Sequence, residues 1–263
     1  MERKIVAVVL AAGYGRIREG VSKLVERLNG TSIINHTLAV LEKAGFKEKL
    51  MVLNAEFAEQ VVNSLDFSID RLCIQAKRQG PAQAVVSALP TLRRMGATDV
   101  LVVFGDMPML CADSLKAVVD AHLKVENSVL TVSSWPFDSS HPLAEKMFNY
   151  AYLDMRREDE SYPPTPIAMI YNGMPHEESA VLSSVYAINL EWFEQALADI
   201  PAYDKGDGYG SELHLPYLVN VALLHHRQLI NITEPRPEPL IGVNTQEDLQ
   251  LIRSILETEG GRS

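Results

Sequence analysis

The feature that most constrains this fold is a continuous apolar run, residues 5–10, followed at once by a glycine-containing turn, residues 11–15, whose members other than Tyr14 are small. An unbroken run rich in β-branched residues is typical of a strand buried on both faces of a parallel sheet. The run is shorter than the about 20 residues that span a membrane. Because glycines follow it, we expect a buried first strand rather than the apolar segment of a secretion signal.

After this strand, the first half of the chain alternates helical and extended patterns. Pro81 suits a helix start, since the first helical residue needs no amide hydrogen, and Asp113 is the expected N-cap of the next helix. This alternation predicts right-handed crossovers and one mostly parallel sheet with helices on both faces, an α/β fold. The predicted strands and helices are 5–10, 50–53, 72–74, 100–104 and 129–132, and 34–45, 57–65, 81–95 and 113–123.

The second half is interrupted by a stretch, about 136–180, that carries a mixed charge run and three nearby prolines. We interpret it as an irregular insertion, partly hairpin, over the functional edge of the sheet. Regular patterns then resume. They predict strands at 181–190 and 229–232 and helices at 192–197, 213–224 and 245–257. We therefore expect one domain, 1–258, and a loose tail, 259–263.

Composition limits the class of function. With 34 acidic and 24 basic residues, the chain has a net charge of −10, which disfavours nucleic-acid binding as the main function but allows a small phosphate ligand. The two cysteines, Cys73 and Cys111, are too few for a disulfide framework or a zinc site, and a cytoplasmic location without membrane attachment is expected. The histidines lack metal-ligand spacing, and no Gly-x-Ser-x-Gly elbow indicates a serine hydrolase.

Two groups of residues near the first strand have a possible role in phosphate binding. Small residues after a strand allow backbone amides to approach a phosphate or a base closely, although Gly13 and Gly15 alone also fit an ordinary turn. Arg16, Arg18 and Lys23 follow in the next loop. These cations could neutralise a triphosphate and its departing pyrophosphate, or they could be solvated surface charges.

Two further residues have oxygens that suit a hard cation. Asp106, in the segment Gly105-Asp106-Met107-Pro108, follows a central strand and could hold Mg²⁺, although it could also be part of a simple turn. Asn244 offers a carbonyl oxygen for the same ion. Alternatively, Asn244 or Thr245 caps the last helix, with Glu247 or Asp248 completing a capping box.

Several of these segments occur in the order of a known family. They are VVLAAGYG, SKL, NGTSIINH, QAKRQGPAQAV, VLVVFGDMPML and GVN. The chain resembles the sugar-nucleotide pyrophosphorylases, and most closely the uridylyltransferase domain of bacterial bifunctional N-acetylglucosamine-1-phosphate uridylyltransferases. This resemblance implies a Rossmann-like nucleotidyltransferase fold. The sequence contains no hexapeptide repeats of the family's β-helix acetyltransferase domain, so we do not expect the second activity in this chain.

The resemblance also implies roles for the candidate residues. Lys23 would contact phosphate, together with Arg16 or Arg18, and Asp106 and Asn244 would bind Mg²⁺. Phe104 to Asp106 would face the ribose and the metal. The residues that would cradle the uracil nucleotide are Leu10, Ala11, Ala12, Gly13, Gln75, Gly80, Pro81, Phe104, Gly105 and Asp106.

The implied reaction transfers UMP from UTP to N-acetylglucosamine 1-phosphate, a step towards a cell wall precursor, and releases pyrophosphate. The chain departs from the family at Ser22, which replaces a proline, and at Pro81, which lacks an amide donor. The family's sugar-binding segments are not recognisable near 149–152 and 183–185, so the sugar stays open. The alternatives are a cytidylyl- or molybdopterin nucleotidyltransferase of the same fold, and a non-catalytic nucleotide-binding homologue.

Overall fold

The first strand lies at the centre of a large mixed sheet. The computed structural model describes residues 3–156, 165–170, 174–204 and 210–260. The strands in these residues are β1 (Ile5–Ala11), β2 (Arg16–Arg18), β3 (Val21–Ser22), β4 (Arg27–Leu28), β5 (Thr31–Ser32), β6 (Lys49–Asn54), β7 (Arg71–Gln75), β8 (Asp99–Phe104), β9 (Ser128–Pro136), β10 (Tyr152–Arg156), β11 (Thr165–Ile170), β12 (Ser179–Asn189), β13 (Ala202–Asp204), β14 (Ser211–Leu213) and β15 (Gln228–Thr233).

The helices of the same residues pack against this sheet. They are α1 (Ile33–Lys43), α2 (Ala58–Asn63), α3 (Pro81–Arg94), α4 (Ala112–Lys124), α5 (Leu190–Ala196), α6 (Leu218–Leu224) and α7 (Gln246–Gly260). Short 3₁₀ turns are Lys23–Val25, Glu145–Asn149, Leu197–Asp199, Leu215–Tyr217 and Glu238–Leu240. Among the described residues, we find no helix with the length and apolar character that crossing a membrane requires.

The sheet is built on parallel pairing of its first four strands. β1 pairs with β6 on one side and β8 on the other, and β6 pairs with β7, all in parallel. β12 runs antiparallel to β8 and to β9, and β15 pairs in parallel with β9. The hairpin of β10 and β11 joins the first residues of β12. The predicted α/β fold with a mixed, mostly parallel sheet is therefore confirmed.

Two hydrophobic cores cover the two faces of the sheet. Side chains of a strand alternate between faces, so Val6 and Val8 of β1 pack under α3, α5 and α6. Ala7 and Val9 point the other way, towards α1, α4 and α7. Because all four residues are fully buried, β1 has the two-sided burial that its continuous apolar sequence predicts.

Two predicted helix details are wrong. The predicted helix 213–224 begins only at α6, because β14 pairs with β13 and a 3₁₀ turn containing Pro216, which has no amide to donate, precedes the helix. Asp113 does not cap α4: Cys111 is the N-cap residue and Asp113 lies in the first turn, where the helix dipole also favours a carboxylate. Helix α7 runs to Gly260, into the predicted loose tail, and residues 261–263 lie outside the described chain.

The predicted insertion, 136–180, contains more regular structure than its sequence indicated. β9 continues to Pro136, and β10 and β11 form an antiparallel hairpin. Pairing of β10 with β12 gives its backbone groups hydrogen-bond partners, which an irregular loop over the sheet would have to find elsewhere. Residues 157–164 and 171–173 of this stretch lie outside the described residues.

Candidate functional site

Most of the predicted nucleotide-binding residues lie at the carboxyl ends of adjacent strands or directly after them. Leu10 of β1 is in register with Phe104 of β8, and the Gly105 amide donates to the Leu10 carbonyl oxygen at 2.9 Å. The turn 11–15 and the segment that begins at Gly105 therefore lie side by side. A Cβ atom on Gly105 would lie 3.3 Å from the Leu10 carbonyl oxygen and 2.8 Å from Ile34 Cδ1 of α1, so a larger residue there would have to displace the Ile34 side chain.

The side chains of Lys23, Asp106 and Asn244 meet beyond the carboxyl ends of β1 and β8. The Lys23 ammonium donates to Asp106 Oδ2 at 2.5 Å and to Asn244 Oδ1 at 2.7 Å. The Lys23 side chain is only 9% exposed and that of Asp106 is 18% exposed. Partial exclusion of water strengthens these charge-assisted hydrogen bonds. The structure thus brings together three residues that are widely separated in the sequence.

The loop before α7 leaves the side chain of Asn244 available to this cluster. Thr245 is the residue that caps α7, because its Oγ1 accepts the Asp248 amide at 3.2 Å. Asp248 Oδ2 in turn accepts the amides of Asn244 and Thr245 at 2.7 and 2.9 Å. This reciprocal pattern is a capping box. Of the two predicted caps, Thr245 takes the capping role, with Asp248 as its partner.

Two groups, the partly buried Tyr150 and the buried Asp248, fix the position of that loop. The pKa of Tyr150 is raised to about 12, mainly by burial; a hydrogen bond from Gly242 opposes this increase, and the nearby charges of Asp106 and Asp248 add to it. The neutral hydroxyl accepts the Gly242 amide at 3.4 Å. Burial alone would raise the pKa of Asp248, but hydrogen bonds from Lys146 and two backbone amides outweigh it, so its pKa is lowered. Asp248 therefore stays charged and holds the loop.

The predicted base-binding loop packs against β14. Gln75 Nε2 donates to the Gly80 carbonyl oxygen at 3.0 Å, and the Leu213 amide donates to Gln79 O at 2.8 Å. Gly80 has φ 89° and ψ 172°, and a Cβ atom there would lie 2.6 Å from the Leu213 carbonyl oxygen. Only glycine fits this backbone and this contact. Pro81 begins α3 directly after it, so the loop lacks one amide donor.

The two predicted arginines do not join the Lys23 cluster. Both lie in the β2–β3 hairpin. Arg16 forms an ion pair with Glu56 and lies 5.1 Å from the ring centroid of Phe57. Arg18 donates to Glu26 Oε1 at 2.6 Å. A phosphate group would therefore have to compete with a glutamate for either guanidinium.

Asn54 is a site residue that the sequence patterns did not single out. It is fully buried at the end of β6, where it is in register with Gln75 of β7. Its Nδ2 donates to the Gly13 carbonyl oxygen at 2.9 Å, and its Oδ1 accepts the Phe57 amide at 2.8 Å. It thereby holds the turn 11–15, called the glycine turn below, in place. A polar residue that directly follows an apolar strand was the feature that could have identified it.

The donor set at Asp106 and Asn244 fits a hard divalent cation. A carboxylate oxygen and an amide oxygen are ligands that Mg²⁺ prefers, and here both already face one cationic group, the Lys23 ammonium. Within the described residues, no three His, Cys, Asp or Glu side chains cluster as a metal site. Mg²⁺ usually takes only one or two protein ligands and completes its shell with water and phosphate oxygens, so two protein oxygens suffice for it.

Comparisons with known protein families and curated relatives identify similar chains. Residues 7–161 match the family profile of the MobA-like NTP transferase domain. The chain is 33% identical over 135 residues to the bifunctional protein GlmU of Sinorhizobium medicae (strain WSM419), which covers 50% of this chain and 29% of that relative. It is 23% identical over 250 residues to the same-named protein of Francisella tularensis subsp. novicida (strain U112), covering 94% and 50%. The chain thus spans half or less of the length of these relatives.

Two solved structures share the fold. One is described as a glucose-1-phosphate thymidylyltransferase from Bacillus anthracis in complex with a sucrose, with a TM-score of 0.72, 16% identity, and coverage of 96% of this chain and 95% of that one. The other is a CMP:2-keto-3-deoxy-manno-octonic acid synthetase complexed with CTP, with a TM-score of 0.68, 12% identity, and coverage of 97% and 99%. At these identities the likeness concerns the fold, and it confirms a Rossmann-like α/β architecture.

Proposed function

Because this chain belongs to the MobA-like NTP transferase domain family, we propose that it transfers UMP from UTP to a sugar 1-phosphate and releases pyrophosphate. N-acetylglucosamine 1-phosphate is the proposed acceptor, on the motif order of the sequence. Nucleotidyl transfer is the chemistry of the family, whereas UTP, this sugar and Mg²⁺ are the specific content of the proposal.

The observation that carries the proposal is the convergence of Lys23, Asp106 and Asn244 beside the glycine turn. In open α/β sheets, ligands bind beyond the carboxyl ends of the strands, which is where these three side chains lie. At this end of the sheet, the Lys23 ammonium suits the phosphates of a triphosphate, and the oxygens of Asp106 and Asn244 suit its metal ion. A turn that only needed to connect a strand to a helix would not require this arrangement.

The residues of the chain would act mainly by positioning and by neutralising charge. An oxygen of the sugar phosphate would attack the α-phosphorus in line, the new P–O bond forming as the bond to pyrophosphate breaks. Mg²⁺ held by Asp106 and Asn244 would offset charge on the α-phosphate. Lys23 would contact a phosphate oxygen, and the backbone of the glycine turn would approach the nucleotide. The attacking phosphate is already an anion, so no general base is required.

Two partly buried contacts support this geometry from outside the cluster. Asn54 holds the Gly13 carbonyl oxygen, and Tyr150 accepts the Gly242 amide next to the metal-binding loop. Catalysis by positioning depends on such supports, because small displacements of the reacting groups lower the rate strongly.

Pyrophosphate release tests the proposal. The protein is incubated with Mg²⁺, each of four nucleoside triphosphates, and several sugar 1-phosphates. We expect release with UTP and N-acetylglucosamine 1-phosphate above all other pairs. Release with CTP or GTP and another acceptor would replace the proposed substrates with those of a related transferase. Tight UTP binding without release from any pair would indicate a non-catalytic nucleotide-binding homologue.

A further inference from the structure

The Lys23 ammonium takes both oxygens that would hold the metal ion. It bonds to Asp106 Oδ2 and Asn244 Oδ1, the same two groups that form the proposed magnesium site. We infer that Lys23 is a tethered cation that occupies the place of the metal in the nucleotide-free chain, and that the metal enters only when Lys23 moves away. This inference rests on the proposed function, since it concerns the same site.

The path of the lysine side chain supports this inference. A Cβ atom on Gly15 would come within 2.9 Å of Lys23 Cδ, 3.0 Å of Cε and 3.4 Å of Nζ. The Lys23 amide also donates to the Gly15 carbonyl oxygen at 3.2 Å. The lysine stem therefore lies along the glycine turn, the segment that is expected to approach the phosphates. A short movement along this turn would carry the ammonium from the two oxygens to a phosphate oxygen.

Electrostatic repulsion prevents Mg²⁺ and the Lys23 ammonium from binding the oxygens of Asp106 and Asn244 at the same time. A magnesium ion would bind oxygens at about 2.0–2.1 Å, and the ammonium already lies 2.5 and 2.7 Å from the same atoms. Two positive charges so close together repel strongly, above all where water is partly excluded. Phosphate oxygens offer the ammonium a new charge-assisted partner. Binding of the nucleotide and binding of the metal should therefore favour each other, since both need the same displacement of Lys23.

A manganese titration without nucleotide tests the inference directly. Mn²⁺ replaces Mg²⁺ as the probe, and free Mn²⁺ is followed by its electron paramagnetic resonance signal. The proteins are the wild type, Lys23→Met, the double variant Lys23→Met/Asp106→Ala, and Lys49→Met. Lys49 is a matched control, because it is a buried lysine that bonds Glu42 Oε1 at 2.6 Å and Phe46 O at 3.0 Å, at the opposite end of the strands.

We expect Lys23→Met to bind Mn²⁺ more tightly than the wild type by a factor of about 5 to 150, the usual range of coupling between two sites. The double variant should lose this gain, and Lys49→Met should match the wild type. Methionine keeps most of the lysine stem, and Lys23→Gln serves as a second variant, with circular dichroism melting to establish that each protein is folded.

An unchanged or weaker Mn²⁺ affinity in both folded Lys23 variants would overturn the inference, as would a gain that survives in the double variant. Neither result would bear on the proposed function, which depends on pyrophosphate release by the wild type. Conversely, Lys23→Met could bind Mn²⁺ more tightly while the wild type releases no pyrophosphate with any substrate pair. That result would support the inference about Lys23 and contradict the proposed reaction.

Discussion

Asp106 and Asn244 bind the same ammonium group, and the backbone joins their two segments as well. The Val243 amide donates to the Asp106 carbonyl oxygen at 2.9 Å, next to the side-chain contacts of both residues with Lys23. The end of β8 is therefore attached to the loop that precedes α7. Because the two oxygens of the proposed metal site come from segments far apart in the chain, the site depends on the docking of the final helix.

Replacing Asp106 by alanine should lower turnover by a factor on the order of 10² or more, the scale of losing one electrostatic contact in a transition state. The variant removes the only charged oxygen of the proposed donor set. Pyrophosphate release under saturating substrate measures the effect. Asp113→Ala is the control, because Asp113 is an exposed carboxylate in the first turn of α4. Near-normal turnover of Asp106→Ala would refute the metal assignment.

Alanine variants of Asn244 and Thr245 should affect different properties, the first turnover and the second stability. Asn244→Ala removes a proposed ligand oxygen, so turnover should fall by at least about 10-fold to 100-fold, the loss caused by removing a residue that only supports a metal ligand, and the melting temperature should stay unchanged. Thr245→Ala should cost about 1 kcal/mol of stability, because it removes the side-chain cap of α7. Urea unfolding and pyrophosphate release are measured for both variants. A large loss of stability in Asn244→Ala alone would mean that it is the structural cap after all.

Gly80→Ala should destabilise the chain more than an alanine at another glycine with positive φ. Backbone strain and the contact with the Leu213 carbonyl oxygen should each cost about 1–3 kcal/mol. Gly20, with φ 70°, is the matched control because a Cβ atom added there would have no neighbour within 4 Å, so Gly20→Ala should cost only about 1–2 kcal/mol. Urea unfolding compares the two. Equal losses would show that β14 does not constrain the loop.

A buried carboxylate at the other end of β8 predicts a dependence of stability on pH. Burial alone would raise the pKa of Asp99, but hydrogen bonds from His122, Arg3 and Thr98 outweigh it and hold this pKa well below its ordinary value. Asp99 is fully buried, and Arg3 Nε and Thr98 Oγ1 donate to its Oδ2 at 3.0 and 2.7 Å. The charged form is thus favoured in the folded chain.

The sign of this effect follows from linkage. An unfolded aspartate has a pKa of about 3.9, so the contribution of Asp99 is complete above that pH and is lost as the pH falls below it. We expect the free energy of unfolding to decrease as the pH falls below about 4, and the decrease to continue towards the lowered pKa of the folded carboxyl. Asp99→Asn should be less stable at pH 7, on the order of 3 kcal/mol, and should depend less on pH in this window. Asp113→Asn, at an exposed position, should keep the wild-type slope; an equally steep decrease in Asp99→Asn would contradict the assignment.

The sequence alone was sufficient to predict the alternating strands and helices and to identify the residues at the strand ends. Apolar runs, glycine turns and Pro81 act locally, through backbone sterics and side-chain periodicity, so their structural meaning can be derived from neighbouring residues. The same local patterns pointed to Lys23, Asp106 and Asn244 as candidates, each with a plausible structural alternative.

Only the tertiary structure showed which partners these polar side chains have, because the partners come from distant segments. It gives the cap of α7 to Thr245, brings the side chain of Asn244 to Lys23, and pairs Arg16 and Arg18 with glutamates. It also reveals Asn54 behind the glycine turn. Hydrogen bonds of this kind depend on how β1, β6 and β8 line up in the sheet and where α7 docks, and no spacing along the chain specifies those distances.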